Sequence, residues 1–386
     1  MGLKERLRPR SDDHVGQTGA VSMLAAAPVL RGVRVGVIGC GYWGSKHVRV
    51  LSGLAGVGGV AVIDPDPRIR GAITSAFPAV RGFPDLASAL PHVDAAVVAT
   101  PPRNHAEVAL QALRAGKHVL VEKPITTTLA DARLLAAEAR RAGVILMAGH
   151  TFEFNPAVRE LRRRMDQGDL GEIYYIHSAR LNLGLYRSDV NVVWDLAPHD
   201  ISIMNYLLRS TPTVVSAWGS SHACGEVKDL AYVRLQYAAC GVVGYARVSW
   251  LDPRKTRRIT VVGSRKMAVY DDLADEKLRI FDCGVEGGLP GEGVVPYERP
   301  ISYRQGDIVS PRIDAEEPLA VEDRHFIECI RDAPRRSATP PAGSPWWRSS
   351  RRSTGHCPPA HRTRSTVRAR SPRPRSPAAP DWSRRR

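Results

Sequence analysis

The sequence predicts two domains of different architecture: an α/β doubly wound parallel sheet, followed by an α+β domain built on a large, mostly antiparallel sheet. Three observations carry this. Residues 33–150 alternate β-branched runs with helical patterns through short loops, as repeated βα units do. The first of these runs turns through Gly39-x-Gly41-x-x-Gly44 before a helical pattern begins. Beyond residue 150 the runs follow one another through short Gly, Asp and Pro turns, with few helices between them. The expected organisation is an extension over 1–30, a dinucleotide-binding domain over 31–150, an α+β domain over 151–332 and a tail over 333–386.

The stretch VRVGVIGCGYWGSKHVRVL (33–51) is the Rossmann fingerprint in its required context, between a strand and a helix. Its glycines let the backbone approach a pyrophosphate, and the helix N-terminus offers unpaired N–H groups and a positive dipole end. Gly39, Gly41, Tyr42, Trp43 and Gly44 are therefore assigned to cofactor binding. The next strand, GVAVIDPD (59–66), ends in Asp64, 20 residues after Gly44, where an acid accepts hydrogen bonds from a ribose hydroxyl. Pro65 follows it directly, so a 2′-phosphate would meet a carboxylate with no compensating cation. NAD is expected over NADP.

DAAVVATPP (94–102) is the third strand of this series and ends in Thr100, Pro101 and Pro102, with Asn104 placed to cap a helix over 105–115. HVLVEKP (118–124) is a buried strand that ends in Glu122 and Lys123, and Pro124 forbids further pairing. An amphipathic helix over 126–143 stops at Gly143, and VILMAGH (144–150) closes the domain. Ligands of such sheets lie outside the carboxyl ends of the strands. Thr100 to Pro102, Glu122, Lys123 and His150 all fall at such ends.

In the second domain a helix over 155–168 precedes the strands EIYYIHSARLN, TVVSAWGSS, LAYVRLQYA, GVVGYARVSW, RRITVVGS and KMAVYDD. A large sheet of this kind needs cover on both faces, and a second copy of the chain is one such cover, so a homo-oligomer is expected. One helix interrupts the strands, VVWDLAPHDISIMNYLL (192–208), and Pro198 is tolerable only in its first turn. Asp195 and His199 are four apart and share a face. A helix N-terminus pushes His199 toward its neutral, proton-accepting form, and a nearby carboxylate opposes this.

Composition narrows the partners. Hydrophobic residues make up 43% and charged residues 24%, which is ordinary globular usage. No apolar run is long enough to span a membrane. Six scattered cysteines, with neither CxxC nor a Cys/His cluster, point to a reduced, cytoplasmic chain without a metal site. The net charge of +16 is local: residues 331–386 hold 15 Arg, no Lys and 2 Asp, which leaves 40 basic and 37 acidic side chains elsewhere. The body is near neutral, and nucleic-acid binding would rest on the tail's charge alone. At the other end, VSMLAAAPVL (21–30) imitates a signal peptide, but Asp12 and Asp13 break its basic region. Residues 1–30 read as a loose extension, in which Met23 offers a second start.

Taken together and in order, GCGYWG, AVIDPD, ATPP with His105, EKP, and Asp195-x-x-x-His199 resemble the Gfo/Idh/MocA oxidoreductase family over residues 33–331. The resemblance implies that Lys123, Asp195 and His199 line the pocket where a sugar or cyclitol carbinol meets nicotinamide, and that His105 and Glu122 lie on the cofactor side. Either His199 takes the proton while Lys123 polarises the oxygen, or the roles are reversed. The family often has Asp three residues after the His, and here that residue is Ser202. The segment 178–200 is similar to the nucleotide-sugar 3-dehydrogenase branch, which makes Arg180, Asn182 and Asn191 candidates for substrate contact. Arg180 suits a diphosphate or carboxylate, with a solvated strand residue as the plain alternative. The competing functions are an inositol or amino-cyclitol dehydrogenase and, in another class, a non-catalytic sugar or NAD sensor.

EPLAVEDRHFIECIRD (317–332) reads as a final helix with apolar Leu319, Phe326, Ile327 and Ile330. The Arg/Pro/Ser-rich tail beyond it holds no Leu, Ile or Tyr and is expected to be disordered. It reads as GC-rich DNA translated out of frame, with a genuine basic arm as the alternative. On the first reading the final helix has lost a covering neighbour, and its apolar face is expected to be exposed.

Overall fold

Six short runs, β-branched in all but the two edge strands, form parallel strands β1 (Val33–Ile38), β2 (Val57–Ile63), β3 (Arg81–Phe83), β4 (Ala95–Val98), β5 (His118–Glu122) and β6 (Leu146–Gly149), in the order β3-β2-β1-β4-β5-β6. The computed structural model describes residues 32–184, 186, 190–223, 225–286 and 302–332. The expected extension over 1–30 and the tail over 333–386 lie outside the described residues. Ala95 to Val98 are fully buried because helices cover both sheet faces, so this strand has no polar alternation. The helices are α1 (Tyr42–Ser52), α2 (Pro67–Ala76), α3 (Leu86–Ala89), α4 (His105–Arg114) and α5 (Leu129–Ala142). Strand order reverses between β1 and β4, and there the crevice opens at the carboxyl edge.

Local chemistry sets the helix ends. The Thr128 hydroxyl accepts the Asp131 N–H and starts α5, three residues later than the pattern suggested, and Gly143 ends it in the left-handed conformation (φ 68°). The cap expected from Asn104 is not made. Asn104 precedes α4, but a 3₁₀ turn over Pro102–Asn104 leads into the helix and the amide accepts no cap bond.

The second domain contains α6 (Pro156–Asp166), α7 (Val192–Leu208) and eight strands: β7 (Ile173–Leu183), β8 (Val214–Ser220), β9 (Leu230–Tyr237), β10 (Val242–Ser249), β11 (Leu251–Gly263), β12 (Met267–Asp271), β13 (Leu278–Glu286) and β14 (Ser302–Val309). Their order is β14-β13-β12-β11-β7-β10-β9-β8, and only β7 and β10 run parallel. β13 and β14 were not anticipated. β14 is exposed along nearly its whole length, so burial imposes no alternation on its sequence. Leu161, Met204 and Leu207 of α6 and α7 pack on Leu235, Ala246, Val261 and Ala268 and cover one face. The other face presents Tyr175, Trp218, Tyr232 and Tyr245, all exposed.

Two expectations are corrected. Pro198 lies seven residues into α7, not in its first turn, because Asn191 caps the helix at 192. The lost backbone bond costs about 3 kcal/mol, and burial of Val192, Ala197, Ile203, Met204 and Leu207 offsets it. The final helix, α8 (Pro318–Asp332), has no exposed apolar face. Leu319, Phe326 and Ile327 are buried, and the last two join the core formed by α1, β1 and β2 of the first domain. The chain thus returns from the second sheet to cover the first.

Candidate active site

The glycine loop leads from β1 into α1, and its three glycines meet different demands. A Cβ on Gly39 (φ 82°) would lie 2.8 Å from the Thr100 backbone, and one on Gly44 would lie 2.1 Å from the Gly39 carbonyl oxygen. Both are required by the turn itself. A Cβ on Gly41 would meet nothing within 4 Å. Gly41 also caps α1, whose first turn has no side-chain cap and no acidic residue. Open space at a bare helix N-terminus suits an anionic pyrophosphate. Asp64, directly after β2, is buried and accepts the Cys40 N–H at 2.8 Å and the Asp66 N–H at 3.0 Å. Each oxygen keeps a lone pair for a ribose hydroxyl. The buried Thr100 hydroxyl has no partner among the described residues, and the Thr100 backbone and methyl group stand against Gly39. These features fit a dinucleotide.

Beside this loop, between the two domains, lies a cavity of about 500 Å³. Its walls include Tyr42 and Trp43 from the first turn of α1, Glu122 and Lys123 from the end of β5, Arg180 and Asn182 from β7, and Asp195 and His199 from α7. Lys123 is half-buried and precedes Pro124 through a cis peptide bond. The exposed rings of Tyr42 and Trp43 meet edge to face, with the Lys46 ammonium 4.3 Å and 5.0 Å from their centres.

His199 is held neutral. Burial is the main cause, and Arg180, Lys123, His150 and Arg257 add positive charge around it, so its pKa falls well below 6.5. The Asp195 carboxylate accepts the Trp250 indole N–H at 3.0 Å. The His199 ring packs edge-on against Phe152, with centroids 4.9 Å apart, and its Nδ1 has no hydrogen-bond partner among the described residues. A neutral imidazole of this kind accepts a proton.

Several candidates have other duties. Asn191 is the cap of α7: its side-chain oxygen accepts the Val193 and Trp194 N–H groups, and it is not in the cavity wall. His105 is buried with its two ring nitrogens 2.8 Å and 2.7 Å from the Pro124 and Thr100 carbonyls. It ties the loops after β4 and β5 together. Pro101 and Pro102 carry that loop into its 3₁₀ turn. Arg180 is not a solvated strand residue. It is buried, makes two N–H bonds of 2.9 Å and 2.7 Å to one Asp200 oxygen, and stacks on Phe152. Ser202 donates back to the His199 carbonyl at 2.9 Å.

Glu122 accepts the Lys123 backbone N–H at 3.1 Å and faces His47 at 3.2 Å. His47, Glu322 and Asp323, which complete this buried group, were missed by the sequence reading. A signal existed. Leu319, Glu322, Asp323 and Phe326 follow helical spacing, so two acids stand on an apolar stripe. Lys255 and Arg257 of β11, also in the cavity wall, were likewise missed. They are ordinary cations in an exposed stretch until the fold turns them inward.

A switch-point crevice that fits a dinucleotide, opening onto a cavity with a lysine and a neutral histidine, defines a nucleotide-dependent oxidoreductase. The chain belongs to the Gfo/Idh/MocA family. Residues 33–150 match the family profile described as "Oxidoreductase family, NAD-binding Rossmann fold", and residues 158–269 match the GFO/IDH/MocA C-terminal domain. It is 30% identical over 262 residues to the UDP-N-acetylglucosamine 3-dehydrogenase of Acidithiobacillus ferrooxidans, covering 67% of this chain and 80% of that protein. The structure of an enzyme of that name from that organism superposes with a TM-score of 0.63 at 26% identity, over 78% of this chain and 89% of the other. Inositol 2-dehydrogenase 1 of Saccharopolyspora erythraea is 34% identical over 218 residues, 54% of this chain. The match spans 64% of that protein's length. NAD is therefore the cofactor class of the family to which this chain belongs.

Proposed function

We propose that this protein is a cytoplasmic NAD-dependent dehydrogenase that oxidises a sugar carbinol, with C3 of a nucleotide sugar as the reacting carbon. The observation that carries this reading is the shared cavity, in which Lys123 and the neutral His199 stand beside the glycine loop. Bound NAD would supply the hydride acceptor. His199 takes the hydroxyl proton, and Lys123 donates to the carbinol oxygen and holds it in place. Burial keeps the histidine able to accept that proton near neutral pH. Asp195, fixed by the Trp250 indole, supplies negative charge in the first turn of α7 next to this pair.

The substrate class rests on charge. Arg180 and Arg257 in the wall are paired with Asp200 and Asp272, so Lys46 and Lys255 are the cations added beside Lys123, and a diphosphate uses them where a free cyclitol does not. Similarity to an inositol 2-dehydrogenase supports the cyclitol alternative. A panel of UDP- and dTDP-sugars and free cyclitols, followed by NADH absorbance, separates the two. Competition by free UDP or dTDP is expected for the first and absent for the second. The exposed aromatic face of the second sheet supports a homo-oligomer, with Trp218 and Tyr232 6.0 Å apart on β8 and β9 at one edge of it. Light scattering is expected to give a mass at least twice that of the chain.

A further inference from the structure

Behind Lys123 lies a buried ionisable group that hydride transfer does not use directly. His47, on α1 three residues after Gly44, has no exposed surface. Its Nδ1 is 2.9 Å from Asp323 and its Nε2 is 3.2 Å from Glu122. The other Glu122 oxygen accepts the Lys123 backbone N–H. Glu322, also fully buried, accepts the Thr151 hydroxyl at 2.7 Å. One oxygen each of Glu322 and Asp323 has no hydrogen-bond partner among the described residues.

We propose that His47 and Asp323 are positioning residues for Lys123: the imidazole, anchored by Asp323, locks Glu122, and Glu122 fixes the backbone from which the Lys123 side chain enters the cavity. Both oxygens of Glu122 are committed within the protein, so its orientation follows His47. The groups facing His47 are Glu122 from β5 and Glu322 and Asp323 from α8, with Glu317, His150 and Lys123 adding charge around them. Burial opposes charge on the imidazole, yet the Asp323 and Glu122 carboxylates outweigh it and raise its pKa to about 10. His47 therefore donates to both carboxylates at neutral pH. An apolar group would seal the same space at lower desolvation cost, so packing alone does not call for this arrangement. Because Leu319 and Pro318 at the start of α8 line the cavity, the same contact seats one wall of the site.

The proposal rests on the dehydrogenase reading, so its test needs one arm that is free of any substrate. In the full-length protein, acetylation of Lys123 by acetic anhydride is measured by peptide mass spectrometry against the exposed Lys228. The wild type is compared with His47→Gln and with the near-isosteric Asp323→Asn, well below each melting temperature. Expected is a rise of about threefold or more in the Lys123/Lys228 labelling ratio in both variants, with the NADH dissociation constant within about threefold of wild type. On any panel compound that the wild type oxidises, kcat falls about tenfold or more while KM for NAD holds, the pattern of a group lost only from the transition state. A merely structural role lowers melting temperature and leaves both ratios unchanged. If His47→Gln does not fold, Asp323→Asn decides. Labelling within about 1.5-fold of wild type in the folded variants overturns the proposal. If no panel compound turns over in the wild type, the dehydrogenase reading fails, and the labelling ratio still judges this one.

Discussion

Replacing Gly44 and Gly41 separately by Ala distinguishes a glycine required by the fold from one required by the ligand. At Gly44 the new methyl group would sit 2.1 Å from the Gly39 carbonyl oxygen, well inside contact distance, and the obstacle is backbone. Gly44 lies inside α1, where Ala is preferred by about 1 kcal/mol. Overpacking of this kind typically costs about 1–3 kcal/mol, and a rigid backbone obstacle puts it at the upper end. The net is a destabilisation of about 2 kcal/mol, or a melting temperature lower by roughly 4–8 °C for a domain of this size. At Gly41 the methyl group would enter open space, with nothing within 4 Å of it. Stability is expected to change by less than about 1 kcal/mol, while the methyl group occupies the ground a pyrophosphate needs. A loss of about 1.4 kcal/mol in binding is tenfold in the NADH dissociation constant. Differential scanning calorimetry and NADH fluorescence titration read the two effects. Unchanged NADH affinity in Gly41→Ala, or a Gly44→Ala protein as stable as wild type, would refute the reasoning.

Four further outcomes are expected. Asp64→Ala reduces the preference for NADH over NADPH, measured as the ratio of dissociation constants, and an unchanged ratio removes Asp64 from the ribose. Lys123→Ala and His199→Ala each cut turnover by about 100-fold or more while NADH binding survives; a near-normal rate in either returns that residue to a structural role. Alkaline stability should fall. The His47 pKa is raised to about 10, against burial, by Asp323 and Glu122, and burial raises Glu322 to about 8, so the folded state holds protons that the unfolded chain releases from about pH 4.5 for Glu322 and about 6.5 for His47. The melting temperature therefore declines from pH 7 to 10, and a flat profile over that window contradicts the assignment. Phe326→Ala empties a fully buried site where α8 meets the first domain and costs about 3–5 kcal/mol; a loss below about 1 kcal/mol in urea denaturation would mean that α8 does not dock there.

The sequence by itself determined the parts of this protein whose rules are local. The glycine turn, the acid at the end of β2, the strand stopped by Pro124 and the helix stop at Gly143 each depend on residues within one turn or one strand, so spacing reveals them. Repetition of such units was enough to announce a parallel sheet and the edge at which its ligands lie. Tertiary structure decided what depends on distant partners. Asn191 looks like a substrate contact until α7 is seen to begin there, and Arg180 looks free until Asp200, 20 residues away, is seen to bind it. The neutral state of His199 comes from burial and from cations on other elements. Asp323 reaches His47 across 276 positions, and α8 covers the first domain although the second precedes it. No local pattern encodes such pairings, because burial and charge compensation are properties of the assembled neighbourhood, and the chain acquires that neighbourhood only when it folds.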